Sequence, residues 1–154
     1  MPICKYEEFL SLIKYKNRIL GIDHGTKKMG IAISDRDLIL ASPLMTIIRQ
    51  KQNEDFETLS NLIKEYSIVG IVFGWPINMN GDRGPRCQSV ETFVKNFLNF
   101  QKIPIFFQDE RMSSQAIEKI LLKQNVSRKK RYKNIDKHAA CWILQSALDS
   151  FKKT

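Results

Sequence analysis

The stretch 18–35, RILGIDHGTKKMGIAISD, constrains the fold more than any other part of the chain. It reads as two short apolar strands joined by a tight turn. Ile19, Leu20 and Ile22 form the first strand and deliver Asp23 to its end. His24, Gly25, Thr26, Lys27 and Lys28 make the turn, and the second strand runs from Met29 to Ser34, with Gly30 and Ala32 keeping one face small. Strands joined so closely pair antiparallel. A carboxylate at the end of an apolar strand, followed at once by glycine and a basic pair, suits a metal or phosphate site. The question is then which other acids join it.

The rest of the chain supplies the elements around that pair. Residues 6–13 fit a short amphipathic helix with Phe9, Leu10 and Ile13 on one side. A third strand, 44–48, follows Pro43, which places it at an edge or bends it. The period then changes: Phe56, Leu59, Leu62, Ile63 and Tyr66 recur at helical spacing, with Asn53 as a cap. IVGIVF, 68–73, is apolar throughout, as in a strand covered on both faces. Gly74-Trp75-Pro76 ends it, and 77–86 is a turn-rich loop. Val90, Phe93, Val94 and Phe97 mark a helix, and PIFFQ, 104–108, another strand. Ser113 caps a helix with Ala116, Ile117, Ile120 and Leu121 inward. A basic loop is expected at 124–134. A last helix, 135–151, turns Ala140, Ile143, Leu144, Ala147, Leu148 and Phe151 inward. An antiparallel meander followed by strand–helix alternation predicts an α/β fold: one mixed five-stranded sheet with helices on both faces, in the element order of the ribonuclease H-like fold. The 154 residues suit a single domain, with 1–17 as an N-terminal extension.

Charge and cysteine usage narrow the partners. The formal net charge of +9 favours an anionic partner, nucleic acid before an acidic membrane surface. Cys4, Cys87 and Cys141 are widely separated and form no CxxC pair, which argues against disulfides and a zinc site. Glu7 and Glu8 interrupt the apolar N-terminus, so it does not read as a signal peptide. No apolar run approaches the ~18 residues of a membrane span. A cytoplasmic protein is the expectation.

Acids recur at element ends: Asp23 after the first strand, Asp109 and Glu110 after the last, and Asp136 at the start of the last helix. Carboxylate oxygens suit hard cations such as Mg²⁺ or Mn²⁺, and two such ions ~4 Å apart can activate a water and stabilise a leaving oxygen in phosphodiester hydrolysis. Taken alone, Asp136 reads as a helix-start acid favoured by the dipole; the three positions together fit one site. Asp109 and Glu110 are adjacent, so on an extended segment they point to opposite faces and one of them reaches the metals. His24 reads as a turn residue. His138 lies two positions from Asp136, and helical side chains so spaced do not face each other. Lys27 and Lys28 lie next to Asp23, and Arg128, Lys129, Lys130, Arg131 and Lys133 just before Asp136. Both clusters would flank the acids, where a phosphate backbone must lie. Arg83 and Arg86 on the 77–86 loop, and Arg111 after the last strand, extend that basic surface.

Four segments, GIDHGTKKMGIAIS, IVFGWPINMNGDRGPRCQSVETFV, PIFFQDERMSSQAIEKIL and RKKRYKNIDKHAACWILQSAL, occur in order between 18 and 148. Together they resemble the YqgF-type family, also called RuvX, of Holliday junction resolvases or pre-16S rRNA nucleases. The resemblance implies a ribonuclease H-like fold and a cytoplasmic, metal-dependent nuclease that matures the 5′ end of 16S rRNA precursor. It implies Asp23, Glu110 and Asp136 as catalytic and metal-binding acids, with Asp109 as the alternative neighbour. Trp75 stands where the family usually has a smaller apolar residue. Lys28 stands where arginine is common, which keeps the charge and loses the bidentate fork. The motifs leave 1–16 unexplained.

Two other classes compete. Asp23-His24-Gly25-Thr26 also fits the phosphate turn of actin-like or sugar-kinase ATP-binding domains, but those enclose the nucleotide between two such domains and this chain holds one. A non-catalytic RNA-binding module would leave the acids idle. Within the nuclease reading, precursor rRNA (with ribosomal subunit precursors as partners) and branched DNA both remain, as do monomer and homodimer.

Overall fold

The structure, a computed structural model, describes residues 3–13, 17–76, 84–109 and 128–151, with the backbone alone for 128–137. Its elements are α1 (Tyr6–Leu12), β1 (Ile19–His24), β2 (Lys28–Ser34), β3 (Ala41–Ile48), α2 (Gln52–Tyr66), β4 (Gly70–Trp75), α3 (Pro85–Phe100), β5 (Ile105–Asp109) and α4 (Arg128–Phe151). The strands form one mixed five-stranded sheet in the order β3-β2-β1-β4-β5. β1–β2 and β2–β3 are antiparallel, while β1–β4 and β4–β5 are parallel. The expected meander and the expected alternation therefore meet at β1, the central strand.

The pleat divides the core in two. Leu20, Ile22, Ile71 and Phe73 point to one face, where Phe56 and Leu59 of α2 and Phe93 and Phe97 of α3 cover them. Ile19, Ala32 and Val72 point to the other, against Phe9 of α1 and Ala140, Ile143, Leu144, Ala147 and Leu148 of α4. β3 is an edge strand and is bent as Pro43 requires: Ile31 pairs with Met45 but Ala32 with Pro43, so Leu44 is an extra residue.

The first turn of α2 corrects one expectation. Asn53 is not the cap: Gln52 already begins the helix, and Asp55 Oδ1 accepts the backbone N–H of Gln50. The basic stretch 124–134 differs as well. Residues 128–134 are helical and belong to α4. They contain no Gly or Pro, and Lys and Arg are good helix formers. The stretch shows no apolar periodicity in its sequence, so the helix is not readable from pattern. The helix expected from Ser113 through Leu121, and most of the 77–86 loop, lie outside the described residues.

The N-terminal segment is tied to the sheet at two points. Ile3 bridges Ile105 in parallel, and the Cys4 N–H donates to the Ile105 carbonyl at 2.7 Å. Tyr6 donates its hydroxyl proton to the Ser150 carbonyl at 2.6 Å, and Phe9 packs fully buried against Phe106 and Phe151. This segment thus clamps β5 to the end of α4. Among the described residues no helix is long and apolar enough to cross a membrane.

α4 runs antiparallel to β1. Its C-terminal part meets α1 through Ser150, and Gln145 hydrogen-bonds Ala41 N–H and the Ile39 carbonyl beside the start of β1. One turn earlier the helix lies on Gly21: a Cβ there would stand 2.6 Å from Leu144 Cβ and 3.0 Å from the Ala140 carbonyl oxygen. Leu144 Cβ is fixed to the helix backbone, so no rotamer change relieves that contact. Gly21→Ala should therefore lift α4 and cost about 1–3 kcal/mol of overpacking, read as a lower urea midpoint, and Gly21→Val should cost more.

Candidate functional site

β1 presents two side chains at its C-terminal end, on opposite faces. Asp23 alternates onto the α4 face with Ile19 and Gly21, and is half-buried. His24 alternates onto the α2/α3 face with Leu20 and Ile22, and is 7% exposed. The hairpin then closes in three residues. The Gly25 N–H donates to the Lys28 carbonyl at 2.9 Å, and a Cβ at Gly25 would lie 2.5 Å from that same oxygen. Only glycine allows so close a return. Lys27, the last residue of this turn, and Lys28, the first of β2, are both exposed.

His24 is not the turn residue its position suggested. It is the last residue of β1, paired with Met29, and its ring lies 4.7 Å from that of Phe93. Arg49 Nη1 stands 3.1 Å from His24 Nε2. A guanidinium only donates, so Nε2 is the acceptor and the imidazole is neutral, with its proton on Nδ1. Burial first, and then the Arg49 charge, depress the His24 pKa from 6.5 to about 4.

Arg49 is the hub of this side. Its Nε donates to Asp55 Oδ2 at 3.0 Å, and its Nη1 donates to the Gly25 carbonyl at 2.8 Å. Its backbone N–H donates to the Lys27 carbonyl at 2.8 Å, and its guanidinium lies 5.1 Å from the Phe93 ring centre. Asp55 is 1% exposed, with both oxygens occupied by Arg49 and the Gln50 N–H. The pair thus fastens the turn that follows Asp23 to the start of α2. Sequence reasoning missed both residues. A signal existed: Asp55 sits in the apolar stripe of α2 with Leu59 and Leu62, where an acid must be paired.

Of the remaining predicted site residues, Asp109 and Arg86 are described with their side chains. Asp109 ends β5, exposed, in register with Trp75 and two strands from β1. Ile105 and Phe107 face α2 and α3 while Phe106 faces α4, so alternation sets Asp109 on the face away from Asp23. Arg86 is exposed in the first turn of α3. Arg128, Lys129, Lys130, Arg131, Lys133 and Asp136 lie in the N-terminal turns of α4, where the backbone alone is described. Arg83, Glu110 and Arg111 lie outside the described residues. Among the described residues no three His, Cys, Asp or Glu side chains gather as a metal cluster.

The family model of RuvX, described as Holliday junction resolvase, matches residues 17–150. The chain belongs to the RuvX family. A Paramagnetospirillum magneticum protein named "Putative pre-16S rRNA nuclease" is 41% identical over 150 residues, covering 97% of each chain. A Bartonella henselae protein of the same name is 47% identical over 131 residues, 85% of this chain and 82% of its own. Among solved structures, T. thermophilus RuvC in complex with a Holliday junction substrate aligns with a TM-score of 0.53 at 10% identity, over 89% of this chain and 94% of its own. Fowlpox virus resolvase bound to Holliday junction DNA aligns with a TM-score of 0.53 at 13% identity, over 86% and 97%. The RuvX chain thus has the ribonuclease H-like fold that its element order predicts.

Two outcomes test this geometry. Arg49→Ala strands the buried Asp55 carboxylate and should cost about 3–5 kcal/mol in urea unfolding, while Arg49→Ala with Asp55→Ala should cost less than the sum of the singles. For His24, the unfolded chain takes up a proton below pH 6.5 and the fold resists until about 4. The unfolded state binds more protons in that window, so stability is full above pH 6.5 and falls toward pH 4, by up to about 3 kcal/mol. Thermal unfolding of His24→Gln should show a flatter pH dependence over the same range.

Proposed function

We propose that the chain is a divalent-metal-dependent endonuclease that hydrolyses phosphodiesters of structured RNA, acting in the cytoplasm on the 5′ end of 16S rRNA precursor. The observation that carries this reading is the contact of Ala140 with Gly21 beside Asp23. Two residues along a strand advance about 6.6 Å, and four residues back along a helix about 6 Å. Asp23 and Asp136 are displaced from that contact by these steps, toward the same end of the sheet, because α4 is antiparallel to β1.

The third acid follows from the pleat. Asp109 belongs to the face away from Asp23, which leaves Glu110 as the acid we assign to the set with Asp23 and Asp136. Carboxylate oxygens on a half-buried strand end suit a hard cation, and Asp23, Glu110 and Asp136 are the residues that would hold Mg²⁺ or Mn²⁺. Such ions, when bound, polarise a water and take up charge on the leaving oxygen. The chain supplies the rest. Lys27 and Lys28 offer cations to the phosphates that flank the cut. The basic first turns of α4 offer more, at a helix end where positive side chains oppose the dipole and phosphate relieves the repulsion. Near-complete alignment, at 41% identity or more, with proteins named for pre-16S rRNA supports RNA as the substrate.

The family description favours a second reading, Holliday junction resolution. Cutting two strands of a four-way junction would call for a homodimer, whereas trimming a 5′ end is work for a monomer. A cleavage assay offering precursor rRNA and a four-way junction to the same preparation decides between them. Asp23→Asn should abolish cleavage and leave binding within about twofold, since removing one carboxylate charge does not weaken phosphate contacts; cleavage at the parental rate under matched metal removes Asp23 from the mechanism. Reversing the four charges at 128–131 should weaken binding and lower its salt slope by roughly 3–4, and an unchanged slope takes that cluster off the substrate path.

A further inference from the structure

The face of β1 opposite Asp23 carries a groove that the proposed hydrolysis does not use. It opens between the β1–β2 turn and the N-terminal halves of α2 and α3, with a volume of about 540 Å³. Small-ligand sites span roughly 300–1,000 Å³. The Phe93 ring forms its base, with His24 and the Arg49 guanidinium packed against that ring. Around them stand uncharged hydrogen-bonding side chains: Thr26, Gln52, Gln88, Ser89 and Thr92.

The lining side chains themselves offer no uncommitted charge to a phosphate, although the charge of Arg86, next to Pro85 on α3, is felt at His24. Arg49 carries the formal charge among the lining residues, and Asp55 already balances it at 3.0 Å. The Nε and Nη1 donors of Arg49 are committed to Asp55, His24 and Gly25. It therefore cannot present them as the fork that grips a phosphate. What it brings to the groove is a flat guanidinium backed by an aromatic ring, and guanidinium planes are a stacking surface for unpaired bases. A flat, uncharged group with hydrogen-bonding edges is the chemical complement of this lining, and within a nucleic acid that group is the base. The position agrees. His24 follows Asp23 directly, and Thr26 precedes the exposed Lys27-Lys28 pair. A nucleotide whose base entered here would have its phosphate near the turn that flanks Asp23.

We propose that this groove captures one unpaired nucleobase of the substrate strand, stacked on Arg49, next to the cleavage site. The inference rests on the nucleic-acid reading above and extends it: a fully paired strand could not supply the base without unstacking it, so the enzyme favours a cut beside unpaired sequence.

The test uses the full chain carrying Asp23→Asn, so that the probe stays intact. The probe is a fluorescein-labelled RNA hairpin with a single-stranded extension, in which an abasic residue is placed at each position in turn and binding is read by anisotropy. At one position the abasic residue should weaken binding at least about fivefold. Thr92→Trp fills the groove from an exposed helical position; it should weaken the intact probe by a similar factor and erase the abasic penalty. Ser89→Trp should do the same from a second exposed position, with both variants matched to the parent in helical circular dichroism. The proposal is overturned if no abasic position matters, or if the penalty persists in both tryptophan variants. Cleavage of the same RNA by the parent chain with Mg²⁺ or Mn²⁺ is scored separately. No cleavage with a Thr92-dependent penalty sinks the nuclease reading and keeps the base site, and cleavage without any penalty does the reverse.

Discussion

A side chain at position 21 would drive its Cβ to 2.6 Å from that of Leu144, so α4 rests on the central strand only because glycine stands there. That contact sets the height of the C-terminal helix above the sheet, and much else is fixed by it. Ala140, Ala147 and Leu144 are fully buried on the same face, small enough or well enough interdigitated to hold the helix close. Gln145 then reaches the β2–β3 turn and Ser150 reaches Tyr6. The helix is thereby pinned along its length, and its basic N-terminal turns are carried to the end of the sheet where β1 delivers Asp23. A chemistry that needs acids from distant parts of the chain depends on this spacing, because a carboxylate displaced by an ångström or so no longer shares a ligand with its neighbour.

The other face of β1 is organised by charge. Asp55 is the buried ion, and Arg49 neutralises it while also holding the Gly25 and Lys27 carbonyls and the neutral His24 ring. Buried pairs of this kind contribute little net stability against an apolar alternative, and their use lies in fixing geometry. Here the geometry is that of the three-residue turn after Asp23. The two faces of one strand thus divide the labour. One presents the acid, and the other immobilises the turn that carries the acid's basic neighbours.

Much of this was legible in the sequence, and the reasons differ by element. Periodicity identified α2, α3 and the buried part of α4, since each buries a regular stripe: Leu59 and Leu62, Phe93 and Phe97, Ile143 and Ala147. Pro43 foretold the bent edge strand, and IVGIVF the strand covered on both sides. The start of α4 was not legible, because a run of Arg and Lys gives no apolar period, and helix propensity alone is a weak guide. The place of Asp23 near the end of β1 and the exposure of Lys27 and Lys28 were legible from strand-end position. Arg49 and Asp55 were not, because their meaning is a pairing across the β3–α2 connection. His24 was misplaced by a single residue. That shift moves a side chain from a solvent turn into the core, because strand faces alternate at every position.

The same alternation underlies our assignment between the two adjacent acids, Asp109 and Glu110. Spacing alone does not separate them. Phe107 stacks with Trp75 at 4.6 Å on the α2/α3 face, and Asp109, two residues on, shares that face. Asp23 is on the other. An acid on the wrong face is separated from Asp23 by the thickness of the sheet as well as by two strand spacings, roughly 10 Å, which is beyond the reach of a common cation with oxygen ligands at about 2–2.6 Å. Trp75 stands at the same strand end. Its ring packs on Phe107 and braces β5 against β4 up to the Trp75–Asp109 pair.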